Sequence, residues 1–64
     1  MKYKKISKPS RGHTYKLNVS DKGHVIVVDI ENDTNEVVSF IDIDLSKEEA
    51  KEIASLLNTY AEVN

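Results

Sequence analysis

Sixty-four residues with 20 charged side chains, no Cys and no Trp predict one small soluble domain, which excludes multidomain and disulfide-framework architectures. A chain this short buries only about 60% of the surface its unfolded form exposes, too little for both a core and an enclosed substrate cavity, so large-pocket enzymes are excluded. With no disulfide to staple it, the domain must draw its stability from packed regular structure, a ligand or self-association.

The net charge of -2 conceals a division along the chain. Residues 1–24 carry Lys2, Lys4, Lys5, Lys8, Arg11, Lys16 and Lys22 against Asp21 alone, a balance of +6. From residue 25 onward ten acids face only Lys47 and Lys51, a balance of -8. This asymmetry suits two surfaces with different partners, attraction between copies, or a basic edge packed beside an acidic one. The longest apolar run, Val25 to Val28, falls far short of the roughly 20 residues of a membrane span. The lysines after Met1 lead into no apolar signal core, which predicts a cytoplasmic protein.

In chain order, residues 2–7 have the composition of a short edge strand, and Lys8-Pro9-Ser10-Arg11-Gly12 reads as a breaker cluster in a loop. The division expected is a basic N-terminal segment and loop at 1–12 and a single β-β-β-α domain at 13–64. Thr14 to Ser20 alternates as a half-buried strand, with Tyr15, Leu17 and Val19 on one face, and Asp21-Lys22-Gly23 supplies the turn. A two-residue turn here puts Leu17 with Ile26 and Val28, whereas a three-residue turn ending in a Gly bulge puts it beside Val27.

His24 to Glu31 is the most strand-like run, followed by turn chemistry at 32–35 and a further strand from Glu36 to Asp44. Pairing Glu31 with Glu36 sets Ile30 against Val37, Val28 against Ser39, Ile26 against Ile41 and His24 against Ile43. The opposite face then gathers Val25, Val27, Val38 and Phe40 among the acids Asp29, Glu31, Asp42 and Asp44. A monomeric antiparallel sheet that shows one face to water keeps that face polar, so this cluster is expected to be covered by a partner.

Ser46 and Glu49 form a capping-box signature with Leu45 as its staple, so a helix starts there. Ala50, Ile53, Ala54, Leu57, Tyr60 and Ala61 follow a core-facing stripe, with Leu56 at its flank. The expected fold is α+β: three antiparallel strands, with a fourth if residues 2–7 pair, and one C-terminal helix packed on the Ile26, Val28, Ile30, Ile41 and Ile43 face.

No nucleophile-base constellation is recognisable, with His13 in a loop and His24 at a strand start, so the reading is non-enzymatic and no cofactor is expected. Asp29, Glu31, Asp33 and Asn35 imitate an oxygen-rich calcium loop, but Thr34 stands at the position that requires Gly and Phe40 where a closing acid belongs, so no metal is expected either. Gly12 and Gly23 open no helix, which removes phosphate-loop chemistry. Lys2, Tyr3, Lys4, Lys5, Lys8, Arg11, Tyr15 and Lys16 combine phosphate contacts with stacking rings and make single-stranded nucleic acid an alternative partner. Against it stands the acidic pI near 5.6.

The run from Gly23 to Glu31, a later strand, Leu45-Ser46-Lys47-Glu48-Glu49 and the helix resemble the positive-cofactor-four family of single-stranded DNA-binding proteins over about two thirds of the chain. That resemblance implies basic and aromatic residues on the sheet, where this chain has Asp29, Glu31, Asp42 and Asp44. The short, Cys-free, Lys-, Glu- and Asn-rich chain is also similar in style to small phage and prophage accessory proteins, including anti-CRISPR and other anti-defence inhibitors. That resemblance implies a stoichiometric inhibitor of a host defence protein. The leading expectation is therefore a binding protein that meets a protein partner, or forms a homodimer, through Val25, Val27, Asp29, Glu31, Val38, Phe40, Asp42 and Asp44. A homo-oligomeric structural subunit is the remaining alternative.

Overall fold

The computed structural model describes residues 2–63, so Met1 and Asn64 at the ends of the expected spans lie outside it. Four strands, β1 (Tyr3–Ser10), β2 (His13–Ser20), β3 (His24–Glu31) and β4 (Val37–Asp44), form an antiparallel sheet in the order β1-β2-β3-β4. The helix α1 (Lys47–Glu62) follows β4, so the fold is α+β.

The first strand is longer than the breaker cluster suggested, and Tyr3–Ser10 pairs with β2 as part of the sheet. Lys8, Pro9 and Ser10 continue β1, and only Arg11 and Gly12 turn the chain, with φ of 50° and 82°. Positive φ at both positions is the two-residue hairpin turn whose twist matches its strands. Pro9 stands opposite Thr14, next to the Ser10–His13 pair that closes the turn. In that alternation its missing N–H falls on the open edge of the sheet, where proline costs no ladder bond.

The β2–β3 turn is the three-residue form ending in Gly23 at φ 78°, and it places Leu17 opposite Val27. Ser20 Oγ accepts from the backbone N–H groups of Lys22 and His24, each at 3.3 Å, and fixes the turn.

The third hairpin starts as expected, with Glu31 N donating to Glu36 O at 2.9 Å and Ile30 opposite Val37. A bulge then shifts the register between Asp29 and Ile30, so Val28 meets Phe40, Ile26 meets Asp42 and His24 meets Asp44. One inserted residue turns every later side chain of β4 to the other face. The expected pairings of Val28 with Ser39, Ile26 with Ile41 and His24 with Ile43 are thereby corrected.

The two sheet faces follow from this register. One, the Val27 face, carries an unbroken apolar row, Ile6-Leu17-Val27-Ile41, beside a second row of Lys4, Val19, Val25 and Ile43. The other, the Phe40 face, is mixed: Lys5, Asn18, Ile26 and Asp42 form one row, and Ser7, Lys16, Val28 and Phe40 the next.

Helix α1 begins as its sequence dictates. Ser46 Oγ accepts from Glu49 N at 3.1 Å, and Glu49 Oε1 accepts from Ser46 N at 2.9 Å. Hydrogen bonding from the Ser46 backbone N–H, and then from its hydroxyl, holds the Glu49 carboxyl below its ordinary pKa. The helix does not pack as expected. Sheet contacts run between neighbouring strands only, and among the described residues α1 packs on none of them. The sheet is therefore a single layer, and no described residue is fully buried. The physical reason is the exit path: Leu45 N donates to Gly23 O at 2.8 Å, which holds the chain on the line of β4, and Ser46 stays extended at φ -70° and ψ 162°.

Candidate functional site

The residues expected to form one apolar and acidic surface divide between two faces. Val25, Val27, Asp29 and Glu31 belong to the Val27 face, whereas Phe40, Asp42 and Asp44 belong to the Phe40 face. Val38 lies in the bulged start of β4, where it and Val37 stand against the single residue Ile30. The bulge is the cause, since it reverses β4 against β3 while leaving β3 against β2 in place.

The basic residues divide as well. Tyr3, Lys5 and Lys16 share the Phe40 face, Lys4, Lys8 and Tyr15 the Val27 face, Arg11 sits in the first turn and Lys2 precedes β1. Lys5 Nζ lies 5.3 Å from the Tyr3 ring centroid, a cation over an aromatic face.

The Phe40 face offers the better-defined site. Phe40 itself is 67% exposed, with Val37 and Val38 also exposed beside the half-buried Ile26, Val28 and Ile30. Two open depressions lie on this face. One is lined by Lys5, Ser7, Lys16, Asn18, Ile26 and Val28 among others, and the second by Tyr3, Asn18, Ser20, Lys22, His24 and Asp44. Asn18 lines both, and its side-chain carbonyl oxygen is enclosed with no hydrogen-bond partner among the described residues.

At the β4 end His24 is clasped by two acids. Its Nε2 lies 2.9 Å from Asp42 Oδ1 as an ion pair, and its Nδ1 hydrogen-bonds Asp44 Oδ1. The hydrogen bond to Asp44 and the charge of Asp42 raise the His24 pKa above its ordinary 6.5. Both ring nitrogens face carboxylate oxygens, which favours the protonated ring. The arrangement suits charge pairing, in which a protonated His24 offsets one of the two carboxylates and leaves the triad with one net negative charge.

On the Val27 face His13 Nδ1 donates to Asp29 Oδ1 at 2.7 Å, and the His13 and Tyr15 rings stack with centroids 6.2 Å apart. This arrangement ties Asp29 down at the turn end of the face, away from the apolar rows. Sequence reasoning missed both His-Asp clusters because it placed His13 in a loop and paired His24 with Ile43. The alternation Asp42-Ile43-Asp44 opposite the start of β3 was the signal for the second one. No helix among the described residues is long and apolar enough to cross a membrane.

No family model matches the chain, and neither the curated proteins nor the solved structures yield a match.

Proposed function

We propose that this chain is a non-enzymatic binding protein that contacts a protein partner through the Phe40 face of its sheet. The observation that supports this reading is Phe40 itself, a large ring 67% exposed on the edge strand β4, beside an apolar group bordered by polar residues. An aromatic anchor with a polar border is the composition of a protein-protein contact. Ile26, Val28, Ile30, Val37 and Val38 form the apolar ground beside the ring. Lys5 and Lys16 border it on one side, and Asp42 and Asp44, paired with His24, on the other. A partner that presents an apolar pocket with charges of both signs around it fits this surface. Within this reading, the similarity in style to phage accessory proteins directs the search first to proteins of host defence.

Affinity capture with immobilised protein tests it. Phe40→Asp should lose the captured partner while keeping the wild-type circular-dichroism spectrum, because a ring two-thirds exposed contributes little to the fold. Undiminished capture by Phe40→Asp overturns the proposal.

A second reading, single-stranded nucleic acid, is favoured by one observation: Tyr3, Lys5 and Lys16 share the face with Phe40, giving two stacking rings and two cations on one surface. Titration of isotope-labelled protein with a short single-stranded DNA at low salt separates the readings. Amide shifts at these four residues that vanish with added salt support nucleic acid, and a spectrum that does not move removes it.

A further inference from the structure

The chain carries two halves of a hydrophobic core that do not meet. The Val27 face presents the row Ile6-Leu17-Val27-Ile41, and α1 presents its stripe of Ile53, Leu57 and Tyr60, which are 43%, 60% and 79% exposed. A 16-residue helix with no packing partner is marginal in water, and a single-layer sheet has no core at all.

The surface area measures what is missing. The chain exposes 5728 Å², whereas a folded monomer of 7.2 kDa exposes about 4,100 Å², an excess of about 1,600 Å². Two copies that each hid this excess would bury about 3,200 Å² together, within the range of obligate dimers. Shape agrees with area: the radius of gyration is 13.8 Å, against about 11 Å for a compact domain of 64 residues.

We propose that the protein is a two-fold dimer in which α1 of each copy lies on the Val27 face of the other. The connection from β4 to α1 chooses a second copy over closure of the helix onto its own sheet. Only Leu45 and Ser46 connect β4 to α1, Leu45 is bonded to Gly23, and Ser46 is extended, so the helix leaves the sheet instead of folding back. Short, held connections of this kind direct an element onto a neighbouring copy. The dimensions match, because a 16-residue helix is about 24 Å long and an eight-residue strand about 26 Å. The exchange is reciprocal, so the interface closes at two copies. It leaves the Phe40 face free, and it stands independently of the partner proposed for that face.

Because the chain has no cysteine, introduced thiols report the arrangement directly. Val27→Cys and Leu57→Cys chains are unfolded together, refolded as an equimolar mixture and oxidised. The expected result is a disulfide-linked species of twice the chain mass in the mixture and in neither single variant alone. The double variant Val27→Cys/Leu57→Cys should give linked dimers. If it gives instead a monomer closed by an internal disulfide, or if wild-type protein scatters light as a folded monomer across the micromolar range, the proposal is overturned. Leu17→Cys with Leu57→Cys repeats the experiment at a neighbouring position should Val27→Cys not fold.

Discussion

Replacing Leu57 by Ala measures whether the stripe of α1 is covered in solution. Within one chain Leu57 is 60% exposed, so only about two fifths of its side chain is withdrawn from water. Full burial of a leucine is worth about 1.5–3 kcal/mol, so the isolated chain loses about 1 kcal/mol or less, and the better helix propensity of Ala returns a few tenths. In the exchanged dimer Leu57 is a core residue, and its truncation costs about 2–5 kcal/mol at each of two equivalent sites, about 4–10 kcal/mol per dimer. Urea unfolding followed by the helical circular-dichroism signal, repeated over a hundredfold range of protein concentration, reads both quantities. A dimer that unfolds to two chains gains about 1.4 kcal/mol for each tenfold rise in concentration. With an m-value of about 2 kcal/mol/M, this raises the urea midpoint by about 0.7 M per decade. A concentration-independent midpoint together with a loss below about 1 kcal/mol for Leu57→Ala would refute the reasoning.

Two further outcomes are expected. Gly12 and Gly23 both have positive φ, but a Cβ on Gly12 meets nothing within 4 Å, whereas one on Gly23 lies 3.0 Å from the carbonyl oxygen of Leu45. Gly12→Ala should therefore cost about 1–2 kcal/mol and Gly23→Ala about 2–4 kcal/mol by urea unfolding, and equal costs would show that Leu45 is not held there. Since His24 has a pKa raised by Asp44 and Asp42, its protonated form is favoured on folding. Its stabilisation is complete below about pH 6.5 and declines as pH rises through the higher folded value. Urea midpoints of wild type and His24→Gln should converge as the pH rises above about 6.5, and a constant difference would contradict the clasp.

The helix was legible because its signals are local: Ser46 and Glu49 satisfy each other's backbone within one turn, and no tertiary context is needed to place them. The Gly23 turn was legible as one of two forms, and the structure selects the bulged one. The register of β4 was not legible. Val37, Val38, Phe40 and Ile41 place apolar groups on both sides of the strand, so a one-residue slip leaves each face plausibly apolar and the pattern cannot choose. That slip divided the candidate site, carrying Phe40 to Ile26 and Val28 and leaving Val25 and Val27 with Ile41 and Ile43. Residues 8–10 were misread because Pro9 is a strand breaker only where its N–H is needed, and sequence alone does not say which strand is the edge. The apolar stripe of α1 announces that a sheet face must cover it, but a stripe does not specify whose sheet.

The measurement that tests the account most directly is an isotope-filtered nuclear Overhauser experiment on dimers refolded from equal amounts of carbon-13-labelled and unlabelled chains. The account predicts contacts from the Ile53 and Leu57 methyl groups to those of Leu17, Val27 and Ile41 in the spectrum that selects between chains. The same contacts appearing only within a labelled chain would place each helix on its own sheet and contradict the exchange.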